Sequence, residues 1–460
     1  MNDEQKGQRR VDRYATDKRF GKRSSRKEKK IGQDKPKLSR KDKKAERNDK
    51  KSGGGKWFKS PFFWIGVVVV IALASGGVLL ALKARAQSSS ESTPVDTVAA
   101  ETGGDAQTTT GVPLASSTDQ IVAGMTLEEK IGQMMMVGFE GGDAGTQITS
   151  AIKDRHIGGV ILYGRNISTH EQVTALDAAL QSVAVQAKQP AKLMIAIDQE
   201  GGATRRFTDI GPFYSEPMIG EMTGGAGAAA AQQQASSAAR DLKKLGINTN
   251  LAPDADVSDG WGSVMDGRSF GSDSEVVTEL TGRAVVGYNN ATTICSPKHF
   301  PGHGSADGDS EKTLPTVDLS LEALDQSELP PFKEAIKQGA PMIMVGHLSV
   351  PALDATGTAS SISKPIVTDL LRKGLGFTGV IITDDLEMGA ITEKMSVADA
   401  AVAAVTAGND IVMVAQTAAN QNAVYDALVA AVKSGKVKED DINKSVARII
   451  DMKKKYRLEL

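Results

Sequence analysis

Short apolar runs alternate with longer amphipathic runs from about residue 113 to the end of the chain. Apolar runs of four or five residues predict buried strands, and apolar residues spaced at the helical period predict helices between them. The predicted strands cover residues 134–137, 159–163, 193–197, 247–250, 292–296, 342–345, 380–383 and 410–414. The predicted helices cover residues 171–185, 228–245, 275–288, 321–337, 397–406, 418–433 and 439–456.

Eight predicted strands in this alternation favour one architecture. Strands that alternate with helices form parallel sheets, and eight repeats favour closure into a (β/α)8 TIM-like barrel of the α/β class. The first strand is not followed by the glycine pattern of a dinucleotide-binding site, which argues against an open doubly wound sheet.

The first 112 residues differ in composition from the rest. Residues 1–60 contain 23 Lys and Arg against 9 Asp and Glu, whereas residues 86–460 contain 30 against 47. Between these parts, residues 62–82 carry no charge, and a helix of this length spans about 30 Å of hydrocarbon. We therefore predict a disordered basic tail (1–60), a transmembrane signal-anchor helix (61–83), a flexible linker (84–112) and a barrel domain (113–460).

The charge distribution also predicts an orientation. A basic block directly before a membrane span favours a cytoplasmic N-terminus, which places the barrel outside the cell as part of a single-pass membrane protein. Residues 84–86 (Ala-Arg-Ala) also resemble a signal-peptidase site, so cleavage of the anchor stays open. The basic tail could bind anionic lipid or act only as a topology signal, and we expect no nucleic acid. Cys295 alone cannot form an internal disulfide.

Polar residues stand at the C-terminal ends of five predicted strands: Asp198, Asn250, Lys298, His347 and Asp384. Active sites of such barrels lie at this end. The loop after the fifth strand, residues 298–304, reads Lys-His-Phe-Pro-Gly-His-Gly and cannot be helical because of its proline and glycines. His299 and His303 therefore do not share a helix face, and we expect no metal. The acidic residues that follow this loop suggest acid/base or nucleophilic chemistry.

Five segments resemble glycoside hydrolase family 3: residues 125–134, 198–202 (Asp-Gln-Glu-Gly-Gly), 268–271 (Arg-Ser-Phe-Gly), 298–304 and 383–385 (Thr-Asp-Asp). They occur in the family's order and are most similar to its single-domain, NagZ-like β-N-acetylglucosaminidase branch. The resemblance implies a retaining mechanism without a cofactor, in which Asp384 attacks the anomeric carbon and forms a covalent glycosyl–enzyme intermediate. The implied substrate is terminal β-linked N-acetylglucosamine of peptidoglycan fragments.

The resemblance also implies a set of substrate-binding residues. Charged groups form stronger hydrogen bonds to sugar hydroxyls than neutral groups do. Arg205 and Arg206 are hard to distinguish, and His347 has the alternative role of supporting its loop. The implied set is Asp198, Arg206, Arg268, Lys298, His299 and His347.

One departure from the family concerns the general acid/base. The NagZ-like branch carries Asp-Ser-His after the loop, with the histidine as acid/base, whereas this chain has Asp309-Ser310-Glu311. Three interpretations are open. Glu311 is the acid/base and Asp309 is its partner, whose negative charge favours the protonated form of Glu311; Asp309 or Asp307 takes the role instead; or the domain binds glycans or muropeptides without hydrolysing them. A β-glucosidase-type specificity is a further alternative.

Overall fold

The structure is a computed structural model that describes residues 117–258, 264, 265 and 267–460. The predicted basic tail, transmembrane helix and linker, residues 1–112, lie outside the described residues. Within the described ranges, none of the helices is both long enough and apolar enough to cross a membrane.

Eight strands form one sheet in which every strand pairing is parallel. They are β1 (Met135–Val137), β2 (Gly159–Leu162), β3 (Met194–Ile197), β4 (Thr249–Asn250), β5 (Ile294–Cys295), β6 (Met342–Val345), β7 (Val380–Asp385) and β8 (Ile411–Val414). Their order in the sheet is β5-β4-β3-β2-β1-β8-β7-β6.

The segment that follows β5 joins the two edge strands of this sheet. The N–H of Phe300 donates to the carbonyl oxygen of Met344 at 2.9 Å, and the N–H of Gly346 donates to the carbonyl oxygen of Phe300 at 2.9 Å. The sheet is therefore a nearly closed parallel barrel, which confirms the predicted barrel architecture.

Helices connect and surround the strands. The α-helices are α1 (Thr118–Gly124), α2 (Leu127–Gln133), α3 (Thr146–Arg155), α4 (His170–Gln186), α5 (Glu216–Gly220), α6 (Ala226–Lys244), α7 (Ser274–Asn290), α8 (Leu321–Gln326), α9 (Pro330–Lys337), α10 (Gly389–Thr392), α11 (Val397–Ala407), α12 (Ala418–Lys433) and α13 (Glu439–Lys455). A π-helix covers Pro365–Gly374, and short 3-10 helices cover Gly164–Asn166 and Ser360–Ile362.

The prediction of one helix over residues 321–337 is wrong. α8 ends at Gln326 and α9 begins at Pro330. Pro330 and Pro331 have no N–H and clash with a preceding helical turn, but proline fits the first turn of a new helix. The break leaves Glu328 between the two helices, where it accepts a hydrogen bond from Ser305 Oγ at 2.5 Å.

Most of the barrel strands are wholly apolar because both of their faces are covered. All residues of β2, β3, β6 and β8 are buried, as expected for a parallel sheet with helices on its outside. At the start of α2, Thr126 Oγ1 accepts the Glu129 N–H at 3.2 Å and Glu129 Oε2 accepts the Thr126 N–H at 2.7 Å. This capping box fixes the first turn of α2, the helix that precedes β1.

Candidate active site

The C-terminal ends of the strands bring the predicted site residues together. Asp198 follows β3, Lys298 and His299 lie in the segment between β5 and β6, and Asp384 belongs to β7. Because the strands are parallel, these ends lie at the same end of the barrel. Direct contacts between side chains from different strand ends define the geometry of the site.

Lys298 is the centre of an ion-pair network. Its Nζ lies 2.7 Å from Asp198 Oδ1 and 2.7 Å from Glu200 Oε1, and its side chain is only 4% exposed. Arg206 Nη2 donates to Asp198 Oδ2 at 3.2 Å. Burial alone lowers the pKa of Lys298, but the carboxylates of Asp198 and Glu200 outweigh burial and raise it. Lys298 is therefore a fixed cation that can donate charge-assisted hydrogen bonds.

Arg268 completes the network from the loop before α7. Its Nε and Nη2 donate to Glu200 Oε2 and Oε1 at 2.9 and 2.8 Å, a two-bond arrangement that fixes both side chains. Burial opposes ionisation of Glu200, but Lys298 and Arg268 lower its pKa to about 2. We call Asp198, Glu200, Arg268 and Lys298 the ion-pair network.

Asp384, the predicted nucleophile, is half-buried at the end of β7. Its Oδ1 accepts the N–H of Asp385 at 2.8 Å, which orients the carboxylate. Burial works to raise the pKa of Asp384, but the positive charge of His299 outweighs burial and lowers it. Asp384 is therefore held in the ionised form that a nucleophile needs.

His347 contacts the backbone of Asp385, the residue after Asp384, and has no exposed surface. Its Nδ1 is 2.7 Å from Ser361 Oγ and its Nε2 is 2.9 Å from the carbonyl oxygen of Asp385. The carbonyl can only accept, so we assign the ring proton to Nε2. Both ring nitrogens thus have protein partners, and the geometry fits the alternative role of His347, support for the β7 end, better than contact with a sugar.

Asp385 has a role separate from that of its neighbour. It accepts the N–H groups of Glu387 and Ala415, each at 3.1 Å, and the side-chain amide of Gln416 at 3.0 Å. Burial raises the pKa of Asp385 to about 6. These bonds fix the turn after β7, and through it the position of Asp384.

The loop of residues 305–315 lies at the same end of the barrel as Asp384. The N–H of Gly389 donates to the carbonyl oxygen of Glu311 at 2.9 Å, and the N–H of Ala390 donates to that of Ser310 at 3.1 Å. Gly389 and Ala390 begin α10, four residues after β7. The two predicted acid/base candidates, Asp309 and Glu311, are therefore tied to the segment that carries the predicted nucleophile.

Asp309 and Glu311 have different surroundings within this loop. Asp309 Oδ1 accepts the N–H of Glu311 at 2.9 Å and its Oδ2 lies 2.9 Å from Lys312 Nζ. Burial opposes the ionisation of Asp309, but the hydrogen bond from Lys312 outweighs burial and lowers its pKa. The side chain of Glu311 is exposed. The charge of Asp309 is thus compensated by Lys312, which weakens the repulsion that we expected Asp309 to exert on Glu311.

A second cluster of ionisable groups lies beside the ion-pair network. In the described part of the chain, oxygens of Asp254 and Asp256 and a ring nitrogen of His299 come within 4.8 Å of one another, close enough to bind a cation. Arg268 Nη2, however, lies 3.5 Å from Asp254 Oδ2 and 3.5 Å from His299 Nε2. Because Arg268 already supplies a positive charge there, we interpret the cluster as ion pairs.

Three residues of the site were not identified from the sequence. Glu200 stands inside the Asp-Gln-Glu-Gly-Gly motif, and Asp256 follows β4 in the run Pro-Asp-Ala-Asp-Val at 253–257. Each could have been found from the sequence as an acidic residue that follows a strand. Tyr163 had no such signal. The Cζ of Arg206 lies 5.7 Å from the centre of its ring, and burial, together with the charge of Asp198, raises the pKa of Tyr163 well above its usual value. Only the folded chain brings Tyr163 to the border of the ion-pair network.

Comparisons with known proteins agree with this geometry. Residues 126–452 match the family model described as Glycosyl hydrolase family 3 N terminal domain. The chain is 34% identical over 367 residues to beta-hexosaminidase A of Pseudoalteromonas piscicida, covering 72% of this chain and 61% of that protein. It is 32% identical over 363 residues to beta-hexosaminidase LpqI of Mycobacterium tuberculosis, covering 76% of this chain and 89% of that protein.

A solved structure gives the same result. The described barrel is similar, with a TM-score of 0.69 and 37% identity, to a glycoside hydrolase family 3 beta-N-acetylglucosaminidase from Paenibacillus sp. str. FPU-7, covering 73% of this chain and 63% of that one. The chain thus spans less than two thirds of this relative and of the Pseudoalteromonas protein. The family model includes all of residues 198–202, 268–271, 298–304 and 383–385, and residues 126–134 of the fifth segment on which the resemblance rests. The chain belongs to glycosyl hydrolase family 3.

Proposed function

We propose that this protein is a retaining exo-β-N-acetylglucosaminidase that removes terminal β-linked N-acetylglucosamine from peptidoglycan fragments. One observation carries the proposal: an oriented, ionised carboxylate, Asp384, stands at the same barrel end as the ion-pair network. The names of the relatives, beta-hexosaminidase and beta-N-acetylglucosaminidase, support the sugar class. The peptidoglycan source of that sugar rests on the family resemblance.

In the proposed mechanism Asp384 is the nucleophile. The Asp385 N–H holds Oδ1 of Asp384. Oδ2 attacks the anomeric carbon and forms a covalent glycosyl–aspartate while the bond from that carbon to the leaving-group oxygen breaks, and water then hydrolyses the glycosyl–aspartate to release the sugar. The ion-pair network and Arg206 bind the sugar hydroxyls through charged groups that are already fixed by one another. Such preorganised groups hold the sugar in place without having to reorganise during the reaction.

The leaving-group oxygen needs a proton donor, and we assign this role to Glu311. This assignment is supported by the bonds between its loop and the start of α10, four residues after β7, and by the exposure of its side chain to solvent. Carboxylic acids act as proton donors in most glycosidases. Asp309, which is bonded to Lys312, and Asp307, which accepts the N–H of Thr316 at 2.6 Å, are the alternatives within the same loop.

A different class of function competes with hydrolysis. Because Glu311 stands where the NagZ-like branch has histidine, and because it is exposed, the barrel could bind glycans or muropeptides without cleaving them. A β-glucosidase-type member of the family is the alternative within the same reaction class. The ion-pair network would serve all three functions, since each requires a bound sugar.

The cellular arrangement is also a proposal and rests on the sequence. Residues 62–82 would cross the membrane once, with the N-terminus in the cytoplasm, the barrel outside and the basic tail beside anionic lipid. In intact cells, added protease should then degrade the barrel but not the tail. Protection of the barrel would contradict this orientation.

The test of function uses the 460-residue chain and a panel of p-nitrophenyl β-glycosides. We expect fastest release from the β-N-acetylglucosaminide, and release of free N-acetylglucosamine from muropeptides. Faster release from the β-glucoside would favour the second specificity. Muropeptide binding without release from any glycoside would favour the binding protein.

A further inference from the structure

Asp256, a fully buried residue after β4, contacts both histidines of the loop of residues 298–304. Its Oδ1 accepts the N–H of His303 at 2.6 Å and the N–H of His299 at 3.2 Å, and its Oδ2 lies 2.7 Å from His299 Nδ1. One carboxylate thus binds this loop at two backbone positions and at one ring. With no exposed surface, Asp256 cannot itself touch a substrate.

His299 lies between opposite influences. Asp256 faces its Nδ1 and favours the imidazolium, whereas Arg268 Nη2 is 3.5 Å from its Nε2 and favours the neutral ring. The contact with Asp256 is the shorter, and the charge of Arg268 is already balanced by two bonds to Glu200. Burial by itself lowers the pKa of His299, but Asp256 outweighs burial and raises it.

Other titratable groups also face His299. They come from the ends of β4, β6 and β7, from the loop before α7 and from its own loop. They are the carboxylates of Asp254, Asp256 and Asp384, the guanidinium of Arg268 and the imidazoles of His303 and His347. Of these three carboxylates, Asp256 bonds to His299, Asp254 lies beside Arg268, and Asp384 is the proposed nucleophile. Asp256 therefore contacts His299 directly, whereas His299 acts on Asp384 through its charge and not through a hydrogen bond.

We propose that Asp256 is a positioning residue that fixes His299 in one orientation and as a cation, and that this cation keeps Asp384 ionised for attack. The inference rests on the proposed function of Asp384 as nucleophile. It adds a residue that acts on the nucleophile from a distance, through a second side chain. It also explains why the loop of residues 298–304 is anchored to a carboxylate and not to a neutral acceptor.

The test is Asp256→Asn in the 460-residue chain. Asparagine keeps an oxygen that can accept the two backbone N–H groups but removes the negative charge. Without that charge, His299 loses its proton at a lower pH. Asp384 then has no neighbouring cation at His299, so its carboxyl ionises at a higher pH. We expect the acidic limb of kcat/KM, measured on p-nitrophenyl β-N-acetylglucosaminide, to move up by about one pH unit, a loss of about ten-fold in kcat/KM on that limb.

Asp410→Asn is the matched control. Asp410 is a fully buried carboxylate that is bonded to Arg372 and Arg448, but it lies at the start of β8, the opposite end of the barrel. This variant should lose stability without moving the acidic limb. The inference is overturned if the limb of Asp256→Asn coincides with that of the wild type, or if Asp410→Asn moves the limb equally.

A second measurement does not depend on turnover. The chain has five histidines, so their ring resonances can be followed by NMR and assigned with the variants His299→Gln and His303→Gln. His299 should titrate above the usual value of about 6.5 in the wild type. Titration of His299 below that value would overturn the inference, even if Asp256→Asn does not fold. An inactive wild type whose His299 titrates as expected would instead count against the proposed function alone.

Discussion

The ion-pair network and the loop of residues 305–315 use the same residue types in opposite environments. Lys298 meets Asp198 and Glu200 with 4% of its side chain exposed, whereas Lys312 meets Asp309 with 79% of its side chain exposed. A buried charge must be paired, so the partners in the network depend on one another. An exposed pair contributes little, and its members can be exchanged at low cost. The loop, which departs from the family pattern at Glu311, is therefore the part free to change.

Loss of the proposed nucleophile should give the largest effect. Asp384→Ala removes the attacking oxygen, and we expect kcat to fall by about 10⁴-fold or more, as for other nucleophile deletions. Asp369→Asn, an acidic residue in the π-helix, is the control and should retain wild-type activity. Mass spectrometry after reaction with a 2-fluoro sugar should find the label on Asp384. A label on another carboxylate would reject the assignment.

Breaking the network should cost stability as well as activity. Glu200→Gln leaves Lys298 and Arg268 with one anion fewer, and removing one partner of a buried ion pair costs about 3–5 kcal/mol. The measurement is the free energy of unfolding in urea. Glu334→Gln, at a glutamate paired with Lys337 on α9, is the matched control and should change this free energy much less. Equal losses in the two variants would show that the network is not stronger than a surface pair.

The network should also determine the response of the protein to acid. The pKa of Glu200 is about 2 in the folded chain against an ordinary value of 4.5. Because folding lowers the pKa of Glu200, Glu200 stabilises the fold fully when the pH is above its pKa in the unfolded chain. This stabilisation is lost as the pH falls toward 2. The wild type should therefore lose stability between pH 4.5 and pH 2 more steeply than Glu200→Gln. Parallel pH curves for the two proteins would contradict this origin of the acid response.

The barrel could be predicted from the sequence because its strands are buried on both faces. Runs such as Met-Ile-Met-Val in β6 contain no polar residue and so are distinct from the helices around them. The prediction failed where local backbone chemistry overrode periodicity, at Pro330 and Pro331. It also omitted α3 (Thr146–Arg155), which has only two buried residues, Ile148 and Ile152, and so gives a weak periodic pattern.

The site was predictable only in part. Asp198, Lys298 and Asp384 stand next to apolar runs, so their place at the strand ends could be inferred before their contacts were known. The partners of these residues depend on the folded chain: Glu200 joins Lys298 to Arg268, and Asp256 joins two histidines. Side chains from different strands pair only when the barrel closes, and the local sequence pattern does not show which strand ends will meet.

The loop should give a smaller effect than the network, and one that depends on the leaving group. Glu311→Gln removes the proposed proton donor, so we expect kcat/KM to fall by about 100-fold on aglycones that are poor leaving groups. The loss on activated aryl glycosides should be only a few-fold, because these need little protonation. Glu322→Gln, an exposed glutamate on α8, is the control. Equal losses on both substrate types would indicate that Glu311 positions the substrate instead.

Two further variants of the same loop separate the remaining interpretations. A larger leaving-group effect in Asp309→Asn than in Glu311→Gln would transfer the role of proton donor to Asp309. Glu311→His restores the residue of the NagZ-like branch. If this variant retains or gains activity, the loop still accommodates an aspartate–histidine pair, whereas complete loss of activity would show that it no longer does.

The smallest effect should come from Lys312, the exposed counterpart of Lys298. Lys312→Gln should leave the urea midpoint unchanged, because an exposed ion pair contributes little to stability. It also leaves the charge of Asp309 uncompensated two residues from Glu311, and a nearby negative charge makes a carboxylic acid harder to ionise. If Glu311 is the proton donor, the alkaline limb of the pH–rate profile should therefore move to higher pH. An altered midpoint with an unchanged limb would show that Lys312 stabilises the loop and has no influence on the proton donor.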